Sequence, residues 1–404
     1  MPFIGNTPAQ VPLTSADIAD GIITSAKIVD GTIVNADINA TSAITLNKIS
    51  GNPSFRNIII NGDMQIAQRS TSVASITTSA YHTLDRFGSI VSTAGTWTQS
   101  QSTDVPTGQG FTSSLKMDCT TANASLSASS QLGIYQTVEA QNCQYLKYGT
   151  ANAQSLTISF WVKSNKTGTY IVWFTQADDS RQNAKSYTID VANTWEKKTL
   201  TISGDTVGVI DNDNGEGLQI RFILASGTDF TSGTSPNGTW EALTNVNRYV
   251  GQTVNLADNT VNEWYITGVQ LEAGTSATDF EFLPIDVDLA RCQRYFEIFY
   301  LQDYSVVGQA YSTSAVIAPV KFAVQKRATP TATLPAVGIT GGTIIFTASN
   351  AGNPSTTSGS IAAGELNVSK LTLNGTGFTS SYTAGNVSLL YSSGGSQIKI
   401  DSEL

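Results

Sequence analysis

Leu218-Gln219-Ile220-Arg221-Phe222 decides the fold class. Strand side chains alternate between faces, so Leu218, Ile220, Phe222 and, two further on, Leu224 point into a core while Gln219 and Arg221 point away. Leu156–Lys163 keeps the same period. Leu156, Ile158, Phe160 and Val162 share one face, and Thr157, Ser159, Trp161 and Lys163 the other. Working outward, strand texture recurs at Ser114–Met117, Gly133–Val138, Tyr170–Phe174, Lys185–Val191, Lys198–Ile202 and Glu263–Leu271, separated by loops rich in Gly, Asn, Ser and Thr. Asn57–Met64 (NIIINGDM) reads as a buried strand running into a turn. The pattern is antiparallel and all-β, and it predicts a two-sheet sandwich or jelly roll over residues 51–285.

Two tryptophans fall out of phase. Trp161 lies opposite the regular apolar set of its strand. Tyr170, Val172 and Phe174 share one face of the next strand, which puts Trp173 on the other with Ile171. A second apolar face predicts contact with another chain or another domain, so Trp161 and Trp173 are interface candidates. Sugar stacking is the alternative use of an exposed indole.

Beyond the sandwich, residues 286–299 read as a connecting helix. Pro284 precedes it, Asp286 can cap it, Asp288 sits in the first turn, and Arg291 and Arg294 follow as the helix dipole prefers. Leu289, Cys292, Gln293 and Phe296 line one side. Residues 300–404 return to β texture as a C-terminal tip domain, with strands expected at Val316–Val324, Asn386–Tyr391 and the strictly alternating Gln397–Asp401.

Residues 1–50 are different. Ser15–Ile38 repeats a ten-residue phrase, with isoleucine at every fifth position: Ile18, Ile23, Ile28, Ile33 and Ile38. Five fits neither a helical nor a strand face, and Asp20-Gly21 and Asp30-Gly31 are turn dipeptides. One copy of such a segment cannot bury its isoleucines, so the expected neighbours are identical chains, packed as a trimeric repeat shaft.

Composition narrows the partners. The chain has 404 residues, of which 13% are charged, with a formal net charge of −9 and a pI of about 4.7. Nucleic acid is not expected as a partner, because no basic stripe offers counterion release. Membrane insertion is not expected, because no apolar run reaches the length of a span. Met1–Asn6 has neither the basic region nor the apolar core of a signal peptide. Cys119, Cys143 and Cys292 are an odd number, widely spaced, and read as free thiols of a chain made in a reducing cytosol. A Cys119–Cys143 bridge stays open as an alternative.

At this point the motifs resemble a family. Asn57–Arg69 (NIIINGDMQIAQR), Tyr81–Phe87 (YHTLDRF), Val269–Gly274 (VQLEAG) and Leu289–Phe296 (LARCQRYF) are similar to a domain of bacteriophage tail-fibre proteins. Pro319–Pro330 (PVKFAVQKRATP) and Ile398–Leu404 (IKIDSEL) resemble the final domain of the same proteins. The N-terminal decapeptides resemble shaft repeats of phage fibres, cyanobacterial phages included. The resemblance implies a virion protein made in the host cytoplasm: a homotrimer, attached by its N-terminus to a tail or adaptor protein. It implies a distal domain that binds host surface glycan. Tyr304, Tyr311, Tyr382 and Tyr391 are the stacking groups expected there. The alternatives are a glycan-depolymerising tailspike and a purely structural fibre.

Catalytic chemistry finds little support. His82 is the single histidine and stands beside Asp85-Arg86, with no Gly-x-Ser-x-Gly motif in the chain. Glycoside hydrolysis needs two carboxylates, which Asp178, Asp179, Asp211 and Asp213 can supply. Asp211-Asn212-Asp213-Asn214-Gly215-Glu216 imitates the start of a calcium loop, making Asp211 and Asp213 metal candidates. The distal glutamate is missing because position 222 is Phe. The expectation is therefore no enzyme and no cofactor.

Overall fold

Alternating apolar residues close two antiparallel sheets face to face. The computed structural model describes residues 28, 29, 37, 55–301, 306–312, 315–334, 344–348, 360–376, 387–392 and 396–404. The chain divides into two compact units, Met1–Ser54 and Phe55–Leu404. Ile18, Ile23, Ile33 and Ile38 lie outside the described residues. Ile28 lies within them and is 39% exposed.

The sandwich runs through β1 (Ser72–Ile76), β2 (Ala80–Tyr81), β3 (Gly88–Ser92), β4 (Thr96–Ser102), β5 (Ser114–Thr121), β6 (Gln131–Glu139), β7 (Leu156–Ser164), β8 (Gly168–Gln176), β9 (Arg181–Ile189), β10 (Glu196–Ile202), β11 (Glu216–Ser226), β12 (Glu241–Ala242) and β13 (Glu263–Ala273). The first sheet has the order β1-β4-β5-β13-β7-β10, the second β12-β9-β8-β11-β6-β3-β2. Leu156, Ile158, Phe160 and Val162 of the first sheet and Leu218, Ile220, Phe222 and Leu224 of the second join one buried core. Phe160 meets Phe222 edge-on, ring centroids 5.0 Å apart. The three cysteines are free and buried.

Asn57–Met64 is buried, as its apolar run predicts, but it is not a strand. Among the described residues only two backbone bonds tie it to β13, Ile58 N–H to Leu271 O and Val269 N–H to Gly62 O, both 2.9 Å, and side chains supply others. Gln136 bonds both backbone groups of Ile60, at 2.8 and 2.9 Å, and Asn57 Oδ1 accepts the N–H groups of Ile59 and Leu271 at 3.0 Å. Asn61 and Met64 adopt left-handed backbone, at φ 59° and 61°, which ends any extended run.

The helix is also shorter than its apolar spacing predicts. α1 spans Ile285–Gln293, with Pro284 at its cap and Asp286 inside the first turn rather than capping it. Phe296 opens β14 (Phe296–Leu301) instead. That strand pairs with β22 (Ser396–Asp401), residue 296 opposite 401 and residue 300 opposite 397, a partner about a hundred residues away that local spacing does not reveal.

After β14 come β15 (Val306–Ser312), β16 (Ala315–Lys321), β17 (Thr331–Thr333), β18 (Ile344–Ala348), β19 (Ser360–Leu366), β20 (Lys370–Thr376) and β21 (Val387–Ser392). Their sheets have the orders β14-β22-β17 and β18-β21-β15-β16-β20-β19. This region is stapled to the sandwich. Arg69 meets Asp401 at 3.0 Å and Glu403 at 3.3 Å, Arg86 ion-pairs with Glu403, and Leu404 packs beside Ile60, Ile66, Cys292 and Tyr295.

Candidate functional site

The two sheets turn very different outer faces outward. On the second sheet the out-of-phase Trp173 is only 2% exposed. It packs with Ile171, Ala184, Ile223, Phe230 and Tyr249. Its indole N–H donates to Gln182 Oε1 at 3.2 Å, Tyr249 meets it edge-on at 6.1 Å, and the Arg221 guanidinium lies 4.8 Å from its ring centre. The expected second apolar face is there, but the segment holding Phe230 and Tyr249 covers it. What covers Trp173 here is this chain's own Phe230 and Tyr249.

On the first sheet Trp161 stays half-buried. Register sets Lys197 of β10 on one side of it and Thr267 of β13 on the other. Two residues along β7, Ser159 stands opposite Gln270, and it lines the same groove as Gly268, which lies in the β13 bulge at φ +61°. A side chain at Gly268 would start 2.5 Å from the Phe111 ring, so glycine is what lets Phe111 lie flat there. Phe111, Phe280 and Phe282 form a triad with centroids 4.8 to 5.2 Å apart, and Phe282 remains 47% exposed. Trp161 and this triad wall a groove of about 300 Å³ that also takes in Gln109, Ser159, Lys197 and Asp279.

The polar groups of this face fall into two sets. Away from the groove they are paired: Lys163 with Asp104, Lys116 with Glu263 at 2.8 Å, and Gln270 with Glu272 at 2.9 Å. Burial pushes the Asp104 carboxyl up, but hydrogen bonds from Lys163 and Trp195 outweigh it and hold it below the usual carboxylate range. Within the groove, the side chains of Gln109, Ser159, Lys197 and Asp279 make no hydrogen bond to the described residues. A wall of aromatic rings with unspent donors and acceptors suits a ring-shaped, hydroxyl-rich ligand.

A larger cleft of about 1060 Å³ lies between β6, α1 and residues 325–327, with Phe55 and Tyr145 on its rim. Its charges are already spent. Arg294 grips Glu139 with two bonds of 2.6 and 2.7 Å, and Arg327 donates to backbone oxygens of Asn214, Ser402 and Glu403.

The remaining sequence candidates scatter. Asp213 Oδ1 accepts the Gly215 N–H at 2.8 Å, while Asp178 and Asp179 accept N–H groups of Asp211 and Val209 at 3.0 and 2.7 Å. These carboxylates fasten turns. Among the described residues, no group of three His, Cys, Asp or Glu side chains is placed to hold a metal ion, which leaves Asp211 and Asp213 without the partners a calcium loop needs. Tyr311 is 55% exposed on β15. Tyr304 and Tyr382 lie outside the described residues, as does the side chain of Tyr391. Among the described residues, no helix is long and apolar enough to cross a membrane.

The sequence singles out Trp161 as an interface candidate, with sugar stacking as the alternative, and gives no notice of Phe280 and Phe282 beside it. The alternation Phe280-Glu281-Phe282 is the signal that sets both rings on one side. Trp195 goes unnoticed as well, because it precedes β10 and carries no period of its own.

No family model and no curated protein matches the chain. Among solved structures it is similar to the enzymatically active domain of tailspike protein 4 of bacteriophage CBA120, at 14% identity and a TM-score of 0.27. That match covers 54% of this chain and 21% of that one, about a fifth of its length. It is also similar to a family 11 carbohydrate-binding module from Clostridium thermocellum, at 11% identity and a TM-score of 0.25, over 52% of this chain and 99% of that one. Discoidin II from Dictyostelium discoideum matches at 10% identity and a TM-score of 0.16, over 74% and 86%. Likenesses at these scores carry no argument, and the all-β assignment rests on the sheets themselves.

Proposed function

We propose that this chain is a non-enzymatic tail-fibre protein of a bacteriophage, a homotrimer joined to a tail or adaptor protein through its N-terminal part, that binds host surface glycan. The motifs quoted above support the fibre reading, and the repeat of Ser15–Ile38 supports the trimer. The groove at Trp161 is the observation that carries glycan binding. Aromatic rings stack on the apolar faces of sugars, while Gln109, Ser159, Lys197 and Asp279 offer the hydroxyls both donors and acceptors. The receptor site is accordingly put on the central sandwich, with Tyr311 and the other tyrosines of residues 300–404 as secondary contacts.

An array of bacterial surface polysaccharides tests the reading. The intact protein is expected to be retained by at least one of them, and Trp161→Ala to weaken that binding about tenfold or more, roughly 1.4 kcal/mol. Retention by no polysaccharide defeats the glycan reading. New reducing ends on the retained polysaccharide convert it into the tailspike alternative. Light scattering should give three times the chain mass, and a monomeric mass removes the trimer.

A further inference from the structure

We infer that the glycan taken by this face is a linear, uncharged chain bound along its length across several subsites, rather than a terminal sugar bound end-on. The inference rests on the proposed glycan reading and specifies its ligand. It starts from Trp195. This residue stands just before β10, where register sets Glu196 opposite Val162 and Lys197 opposite Trp161. Its indole N–H donates to Asp104 Oδ1 at 2.9 Å, its ring meets Tyr265 edge-on at 6.2 Å, and the Lys163 ammonium lies 5.7 Å from its ring centre. Tyr265 and Lys163 are opposite each other on β13 and β7 and face outward, so Trp195 lies on the same face as Trp161. Three contacts from three segments hold the indole in place while it stays half-exposed. An ordering of this kind is what a rigid platform needs.

The face therefore carries a row of rings: Trp195, then Trp161, then Phe282. Lys163 and Ser159 mark its two ends on β7, four residues or roughly 13 Å apart along the strand, the length of about three sugar rings. Trp195 and Trp161 are half-buried and Phe282 is 47% exposed, so all three rings reach solvent on the outer face of this sheet, although Lys163 and Ser159 beneath them are buried. The groove polar groups decide the charge of that chain. Lys197 offers an ammonium and Asp279 a carboxylate, neither paired among the described residues and both lining the same groove. A neutral polyhydroxyl chain satisfies both. A polyanion meets Asp279 and a protein of net charge −9 as repulsion.

The test uses the full chain and a length ladder, disaccharide to octasaccharide, cut from the polysaccharide that the array retains. Affinity is expected to rise at least about tenfold between disaccharide and tetrasaccharide and then level off. It should change less than about twofold between 50 mM and 500 mM salt, because no charge pairing drives it. Trp195→Phe should lower hexasaccharide affinity while leaving disaccharide affinity unchanged, with an unaltered melting temperature as the check that Tyr265 and Lys163 still pack. Equal affinity for every length, or a loss confined to the disaccharide, overturns the extended-chain inference and leaves glycan binding standing. A steep fall with salt overturns the uncharged class. If the polysaccharide array retains nothing, the glycan reading itself fails, and this inference with it.

Discussion

Trp161 and Trp173 begin as the same feature: an indole one position out of phase, in two strands consecutive in the chain that lie in opposite sheets of one sandwich. They end differently. Trp173 is roofed by Phe230 and Tyr249 and becomes a small second core, while Trp161 keeps an open side lined by Phe280 and Phe282. Alternation reveals that a strand has two apolar faces. It does not say what covers the second. For Trp173 the cover comes from more than fifty residues downstream. For Trp161 the residues after β13 come close enough to make a wall but not a lid.

Truncating the covered ring has the largest expected effect. Trp173→Ala removes a fully packed indole and should destabilise the protein by about 3–5 kcal/mol, seen as a lower midpoint in urea. Glycan binding at low denaturant should stay. If Trp173→Ala costs as little as a surface change, the roof of Phe230 and Tyr249 is not holding.

Gly268→Ala is a milder disturbance on the open side. A methyl there meets the Phe111 ring and a positive φ, so a cost of about 1–3 kcal/mol is expected. Moving Phe111 also shifts Phe280 and Phe282, so binding should weaken together with stability. Stability loss with unchanged affinity would separate the phenylalanine triad from the groove.

The smallest effect sharpens the contrast through pH. Trp195 is held by the carboxylate of Asp104, Trp173 by the amide of Gln182. Lys163, Lys116 and Trp195 bear on Asp104, whose pKa is lowered in the folded protein despite the opposing effect of burial. Its stabilising contribution is therefore complete above the unfolded value of about 4 and is lost as pH falls through the folded value. Trp195 fluorescence should stay constant from pH 8 to 5 and change below about pH 4, a change that Asp104→Asn abolishes. A variant in which Trp195 remains as the only exposed reporter checks this. An acid transition that survives Asp104→Asn would assign the change elsewhere.

The sandwich was legible because its central strands, Leu156–Val162 and Leu218–Leu224, carry their regular apolar set on one face at the strand period, although their other face is largely buried too. Elements held by distant partners were not. Asn57–Met64 reads as a strand because it is apolar, yet its backbone is satisfied by Gln136 and Asn57 side chains. Phe296 fits the helical spacing of Leu289 and Cys292, yet pairing with residues 396–401 claims it for a sheet. The ion pairs of Arg69 and Arg86 with Glu403 were equally invisible. They have a practical consequence. Deleting residues 300–404 would strip Arg86 of its buried partner, so that deletion cannot isolate a receptor tip from an intact spacer. In the groove, Trp161 was readable by its broken alternation, whereas the lack of a partner for Lys197 and Asp279 among the described residues is a property of packing.

The proposed function puts binding at the Trp161 groove of the first sheet and leaves the roofed face of the second sheet a folding role alone. Trp161→Ala, measured for both thermal stability and affinity toward the polysaccharide retained by the intact protein, tests it most directly. A melting temperature within about 2 °C of the parent is expected, because the ring is half-buried on the outer face and outside the main core, together with a loss of affinity of about tenfold or more. Unchanged affinity, or a loss of binding that merely follows a large drop in melting temperature, would contradict it.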